Sequence, residues 1–159
     1  AWIAGYMHDI GNVINRIDHA QSGAVMAFRI LDKLGMPADE IATVCSAIGN
    51  HDEKTANAVT PLSAALILAD KSDVRRSRVR NRETINFDIH DRVNYAVERS
   101  EVSLDRDSKT FTLSLSINTE VCAVMDYFEI FLQRMLLCRK AAGFFDLTFK
   151  LDINGLTLL

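Results

Sequence analysis

The sequence predicts an α+β fold: an all-α N-terminal helical bundle over residues 1–99, then a small antiparallel-rich sheet packed on one long helix over residues 100–159. Three observations carry this reading. Up to about residue 99 apolar residues recur at three- and four-residue spacing, the period of a helix with one buried face. From about Ser100 the period drops to two, as in half-buried strands. A single long apolar-faced stretch, Thr119 to Ala142, interrupts that second pattern and reads as a helix lying on the sheet.

The elements follow in order. Trp2 to Met7 is an apolar helix that begins with no capping residue ahead of it, so an upstream segment is expected. After His19, the residues Gly23, Ala24, Ala27, Phe28, Ile30, Leu31 and Leu34 trace one helix face, and Gly35-Met36-Pro37 stops it. From about Ala38 the residues Ile41, Val44, Cys45 and Ile48 face one way, ending at Gly49-Asn50. Thr60-Pro61 supplies an N-cap with proline in the first helical position, opening a helix through Leu62, Ala65, Leu66 and Ala69 to beyond Asp73. Residues 88–99 form a shorter helix that Asp88 would cap, with His90-Asp91 in its first turn.

In the second half Val102 and Leu104 suggest a strand, and Arg106 to Lys109 a polar turn. Phe111, Leu113, Leu115 and Ile117 alternate with Thr and Ser; Phe145 to Ile153 alternate with Asp, Thr and Lys. Between them the helix carries Val121, Met125, Phe128, Leu132, Met135 and Leu136, with Gly143 placed to end it. Asn154-Gly155 is the signal of a type I′ hairpin, returning Leu156 to Leu159 as a partner strand.

With 159 residues, 48% apolar and 25% charged, the chain has the balance of a globular protein. A net charge of −3 argues against wholesale coating of nucleic acid. No apolar run approaches the ~18–20 residues that span a bilayer, and no export signal opens the chain, so a cytoplasmic location is expected. Cys45, Cys122 and Cys138 are odd in number and lie in apolar helical patterns, which reads as reduced core thiols.

The histidines are the chemistry-bearing residues. His-Asp occurs at His8-Asp9, His51-Asp52 and His90-Asp91, and Asp18-His19 reverses it. His8 and Asp9 close one helix, His19 opens the next, His51 closes the following one and Asp70 lies within the last. A metal centre inside a bundle needs this distribution, because each helix can offer one inward group to a common point. Asp70 sits beside the apolar stretch Ala64 to Ala69, where an ionised carboxylate without a partner is costly; a cation, a buried salt bridge or exposure on a polar face would each resolve that. His90-Asp91 reads as a capping feature, Asp52 as a helix-end polar residue, and Asp73, one turn from Asp70, as a residue that would orient a ligand.

The order His-Asp, His, His, Asp, in the wordings "YMHDIG", "DHAQSGA", "AIGNHDE" and "LILADKSD", resembles the HD-domain superfamily of metal-dependent phosphohydrolases over roughly residues 1–80. The resemblance implies that His8, Asp9 and Asp70 hold a first divalent metal, and that His19 and His51 hold a second, with Asp9 bridging. The family's upstream histidine has no counterpart in this sequence, and Asn12 stands where many relatives carry lysine after "HDIG". Residues 1–99 would then be an HD-like metal-binding domain lacking its N-terminal part, and 100–159 an accessory module.

Mixed imidazole and carboxylate donors suit Mn or Fe, and also Zn or Ni, better than Mg or Ca. Ions of this kind lower the pKa of a bound water so that hydroxide attacks phosphorus in line, which implies hydrolysis of a phosphate ester or anhydride, most plausibly of a nucleotide, with Asp9 and Lys71 catalytic. Lys71, Arg75 and Arg76, at the head of a run continuing through Arg78, Arg80 and Arg82, would neutralise substrate phosphate; the same run also suits a solvated helix end. A rival reading is a non-catalytic regulatory or nucleotide-sensing protein that uses the C-terminal module for interactions. Nucleic-acid binding ranks last, since no aromatic residues interleave with the arginines. An exposed strand edge in the second half would permit a homodimer.

Overall fold

The computed structural model describes residues 1–79 and 89–158, in which the chain forms two compact units, 1–70 and 71–159. The α+β class holds, with helices first and a four-stranded sheet after them.

In the first unit α1 spans Trp2–Met7, a 3-10 turn Ile10–Val13, α2 His19–Lys33, α3 Ala38–Gly49 and α4 Pro61–Lys71, of which Asp70 is the last residue of this unit. Small residues decide how closely the helices approach. On α2 the buried positions are His19, Ala20, Gly23, Ala27 and Leu31, and α3 answers with Ile41, Val44, Ala47 and Ile48. Met7, Leu66 and Ala4 complete this core. The apolar face of α2 is narrower than its sequence suggests: Phe28 and Leu34 are exposed at 53% and 76%, because they lie to the side of the Ala20-Gly23-Ala27-Leu31 stripe.

Helix ends obey the expected chemistry. Gly35 takes φ +75°, and the N–H groups of Gly35 and Met36 return to the carbonyls of Asp32 and Leu31, the glycine-terminated helix stop, with Met36 packed on the core. At the start of α4 the Ser63 N–H donates to Thr60 Oγ1 (3.1 Å) and the Thr60 N–H to Ser63 Oγ (2.8 Å), a reciprocal cap with serine in the role usually taken by glutamate. The helix ends at Lys71, short of the expected Asp73.

In the second unit α5 spans Ile89–Ala96, β1 Val97–Asp105, β2 Thr110–Ile117, α6 Val124–Gly143, β3 Thr148–Ile153 and β4 Leu156–Thr157. The sheet order is β1-β2-β3-β4, antiparallel at β1/β2 and β3/β4 and parallel at β2/β3, where α6 makes the long connection that parallel strands require. Leu113, Leu115, Leu151 and Ile153 are buried with Tyr127, Phe131, Met135 and Cys138 of α6.

Several boundaries differ from the sequence reading. The strand starts at Val97 rather than after Ser100, and the expected cap Asp88 lies outside the described residues. The long helix starts at Val124 rather than Thr119, because Asn118 captures the local amides: its Oδ1 accepts the Glu120 N–H, and its carbonyl accepts those of Val121 and Cys122. Its buried stripe is Tyr127, Phe131, Met135, Cys138 and Ala142, so Met125 and Leu132 are exposed; of the expected face, Met135 is fully buried. The third strand starts at Thr148 instead of Phe145, since Asp146 takes a left-handed φ of 56° after α6. Asn154 and Gly155 adopt φ values of 52° and 83°, as the type I′ turn demands. None of the three cysteines is in a disulfide, and Cys122 and Cys138 are buried. Among the described residues no helix is long and apolar enough to cross a membrane.

Candidate metal centre

Each of the histidines 8, 19 and 51 sits at a helix end and uses one ring nitrogen to satisfy a backbone carbonyl three residues earlier. His8 follows the last residue of α1 and its Nδ1 is 2.8 Å from the Gly5 carbonyl oxygen. His51, just past α3, has Nδ1 2.6 Å from the Ile48 oxygen, and His19, the first residue of α2, has Nδ1 2.9 Å from the Arg16 oxygen. A carbonyl oxygen only accepts, so each Nδ1 carries the proton, and in the neutral imidazole each Nε2 is left with a bare lone pair.

Those three Nε2 atoms converge. His19 Nε2 lies 3.3 Å from His51 Nε2, and His51 stands edge-on between His8 and His19, with ring centroids 5.1 Å from each. The two carboxylates close the ring: Asp9 Oδ1 is 3.3 Å from His19 Nε2 and 3.9 Å from His51 Nε2, Asp9 Oδ2 is 3.5 Å from His8 Nε2, and Asp70 Oδ1 is 3.7 Å from His8 Nε2. Two neutral imidazoles facing lone pair to lone pair repel unless a proton or a cation lies between them. Three nitrogens and two carboxylates gathered in this way therefore offer donors that fit a divalent ion, with the outer N–H of each imidazole held as metal-binding histidines usually are.

The donors form two overlapping sets, His8/His51/Asp70 and Asp9/His19/His51, each with all its donor atoms within 4.8 Å of one another. His51 is common to both, whereas the resemblance puts Asp9 in the shared position; Asp9 nonetheless touches all three imidazoles. Exposure is graded across the cluster. His51 is 1% exposed, while the Asp9 side chain is 51% exposed, so the centre opens to solvent on the Asp9 side.

Charge in the cluster is mutually stabilising. The Asp9 carboxyl is pushed down to about 2, chiefly by the imidazole of His51, with charge on His8 and His19 assisting and burial and Asp70 opposing. His8 is raised above its ordinary 6.5, mainly by its bond to the Asp70 carboxylate, against the opposing effect of burial.

Glycines bring the pieces together. The 3-10 turn after Asp9 lies so close to the start of α2 that a Cβ on Gly11 would fall on the His19 carbonyl oxygen and within 2.7 Å of the Gly23 nitrogen. Gly11 reads in the sequence as a helix breaker; its physical role is close approach, and its partner Gly23, read as part of an apolar face, is the other half of that contact. Asp18 precedes His19 with a left-handed φ of 56°, the turn that delivers the imidazole.

The remaining expected residues are placed as follows. Lys71 is buried at the C-terminal end of α4. Arg75 pairs with Asp73 at 2.7 Å. Arg76 donates from Nε to the Tyr95 carbonyl (2.6 Å), stacks 4.5 Å over the Tyr95 ring and lies 3.6 Å from Glu98. His90 and Asp91 occupy the first turn of α5, as expected of a capping pair, and Asp52 accepts the Thr55 N–H through its backbone carbonyl.

A family model for the HD domain matches residues 1–129. The chain belongs to the HD-domain family. The match runs from α1 into α6 and so covers the HD domain's five converging donors and more. No curated protein and no solved structure matches the chain.

Two outcomes follow for this HD domain. Gly11→Ala displaces the turn from His19, costing about 1–3 kcal/mol of stability by thermal melting and lowering the metal content measured by elemental analysis. In the metal-free protein, His8 titrates above 6.5 by NMR, and Asp70→Asn returns it toward the ordinary value. Because the folded value is raised, His8's contribution to metal-free stability is fully present below pH 6.5 and is lost as pH rises through the raised value.

Proposed function

We propose that this HD domain binds one or two divalent ions, Mn or Fe by preference and Zn or Ni as alternatives, through His8, Asp9, His19, His51 and Asp70, and hydrolyses a phosphate ester or anhydride bond in a nucleotide. The observation that supports this reading best is the convergence of three Nε2 lone pairs and two carboxylates, each imidazole fixed by its Nδ1–H on a helix carbonyl. Bound ions would lower the pKa of water and screen phosphate charge.

The chain's own residues do the rest. His51, the most buried, anchors both donor sets; Asp9, ionised and open to solvent, meets the substrate and is the proposed catalytic carboxylate. Asp70 balances charge from α4. Of the proposed phosphate partners, Arg75 and Arg76 are engaged with Asp73 and with Tyr95 and Glu98, which weighs against them, and Lys71, the residue after Asp70, is buried. Residues 100–159 are proposed to act as an accessory module to the HD-like residues 1–99.

The test pairs metal content with turnover. Asp9→Ala is expected to lower bound metal and to cut manganese-supported hydrolysis across a nucleotide panel by about a hundredfold or more. Unchanged metal and turnover would remove the proposal, and a metal-loaded wild type that hydrolyses nothing would favour the sensing role.

A further inference from the structure

We propose that the outer edge of β1 pairs antiparallel with β1 of a second copy of this chain, about a two-fold axis at Val102, joining the two sheets into one. β1 is the first strand of the order β1-β2-β3-β4, and among the described residues its ladder runs to β2 on one side. From Glu101 to Asp105 every residue is exposed, including the apolar Val102 at 48% and Leu104 at 52%. A long exposed edge carrying apolar side chains is a template for pairing unless something covers it.

The charges along the strand say what that cover is. A bulge between Val97 and Arg99 breaks the ladder, so the regular stretch runs from Arg99 to Asp105, and its midpoint is Val102. In antiparallel pairing with a copy of itself, facing residues must share a sheet face, so the axis has to pass through a residue rather than between two. Placed on Val102, the axis sets Arg99 opposite Asp105 of the second copy, Ser100 opposite Leu104, Glu101 opposite Ser103, and Val102 opposite Val102. The Arg99–Asp105 match occurs twice by symmetry.

Other positions fail. An axis on Arg99, Glu101 or Asp105 sets a charge against itself, one on Ser103 sets Glu101 against Asp105, and one on Leu104 leaves only Ser103 to Asp105 paired before the strand ends. An axis on Ser100 runs the ladder into the bulge. The strand is therefore self-complementary in one register, in which unlike charges face each other on the polar side and exposed valines meet on the other. Within one chain Arg99 lies 2.6 Å from Glu101, and Asp105 Oδ1 accepts the N–H groups of Asp107 and Ser108, so pairing with a second copy exchanges the Arg99–Glu101 contact for Arg99–Asp105.

Sedimentation equilibrium of the chain from about 1 to about 100 μM tests this. The wild type is expected to associate toward twice its 17.8 kDa mass. Val102→Lys, which sets two ammonium groups on the axis, is expected to be monomeric throughout. Arg99→Asp, which opposes carboxylates at both ends, is expected to raise the dissociation constant about tenfold or more. Both positions are exposed, so both variants should keep the wild-type circular dichroism; should one misfold, the other decides. A wild type that stays monomeric over the range, or a dimer that the folded variants do not weaken, overturns the proposal.

Discussion

The structure of the first unit depends on a hydrogen bond made three times: an imidazole Nδ1–H given to a carbonyl at a helix end or entry turn. Helix C-termini leave carbonyls without intrahelical donors, and His8 and His51 satisfy one each. The bond does two jobs at once. It completes the backbone of the helix end, and it forces the remaining nitrogen to present a lone pair in a fixed direction. Packing α1, α2 and α3 through alanine and glycine then brings those lone pairs together, so the geometry of the centre follows from the same contacts that build the core.

This arrangement couples stability to ligation. The Asp70 carboxylate favours the protonated form of His8, and the Nε2 atoms of His19 and His51 lie 3.3 Å apart. A bound cation would take the place of protons on these nitrogens, and the two carboxylates would supply balancing charge. The burial gradient from His51 to Asp9 makes one side of the centre structural and the other accessible. His51 is thereby kept dry while the Asp9 carboxylate faces solvent.

Much of this was legible in the sequence, for physical reasons. Helix periodicity, the Thr60-Pro61 start, the Gly35 stop and the Asn154-Gly155 turn are local signals, and each appears where the residues place it. The five converging donors were legible because each lies at a helix terminus or on one helix, where spacing constrains direction. What was not legible depended on long-range contact. Gly11 and Gly23 declare their closeness only once α2 is packed against the turn, and the common position of His51 arises from three helices at once. α6 starts later than its apolar pattern suggests because Asn118 competes for local amides, and Tyr127 and Phe131, rather than Met125 and Leu132, meet the core. The family description extends past the residues that suggested it, into strands whose pattern carries no catalytic signal.

The three imidazoles are placed to offer Nε2, and not Nδ1, to bound ions. Cadmium-113 and nitrogen-15 NMR of histidine-labelled protein loaded with cadmium reads this directly. The account predicts one-bond coupling from the ion to Nε2 of residues 8, 19 and 51, with each Nδ1 still protonated. Coupling through Nδ1, or imidazoles that keep a proton on Nε2 and show no coupling, would contradict it.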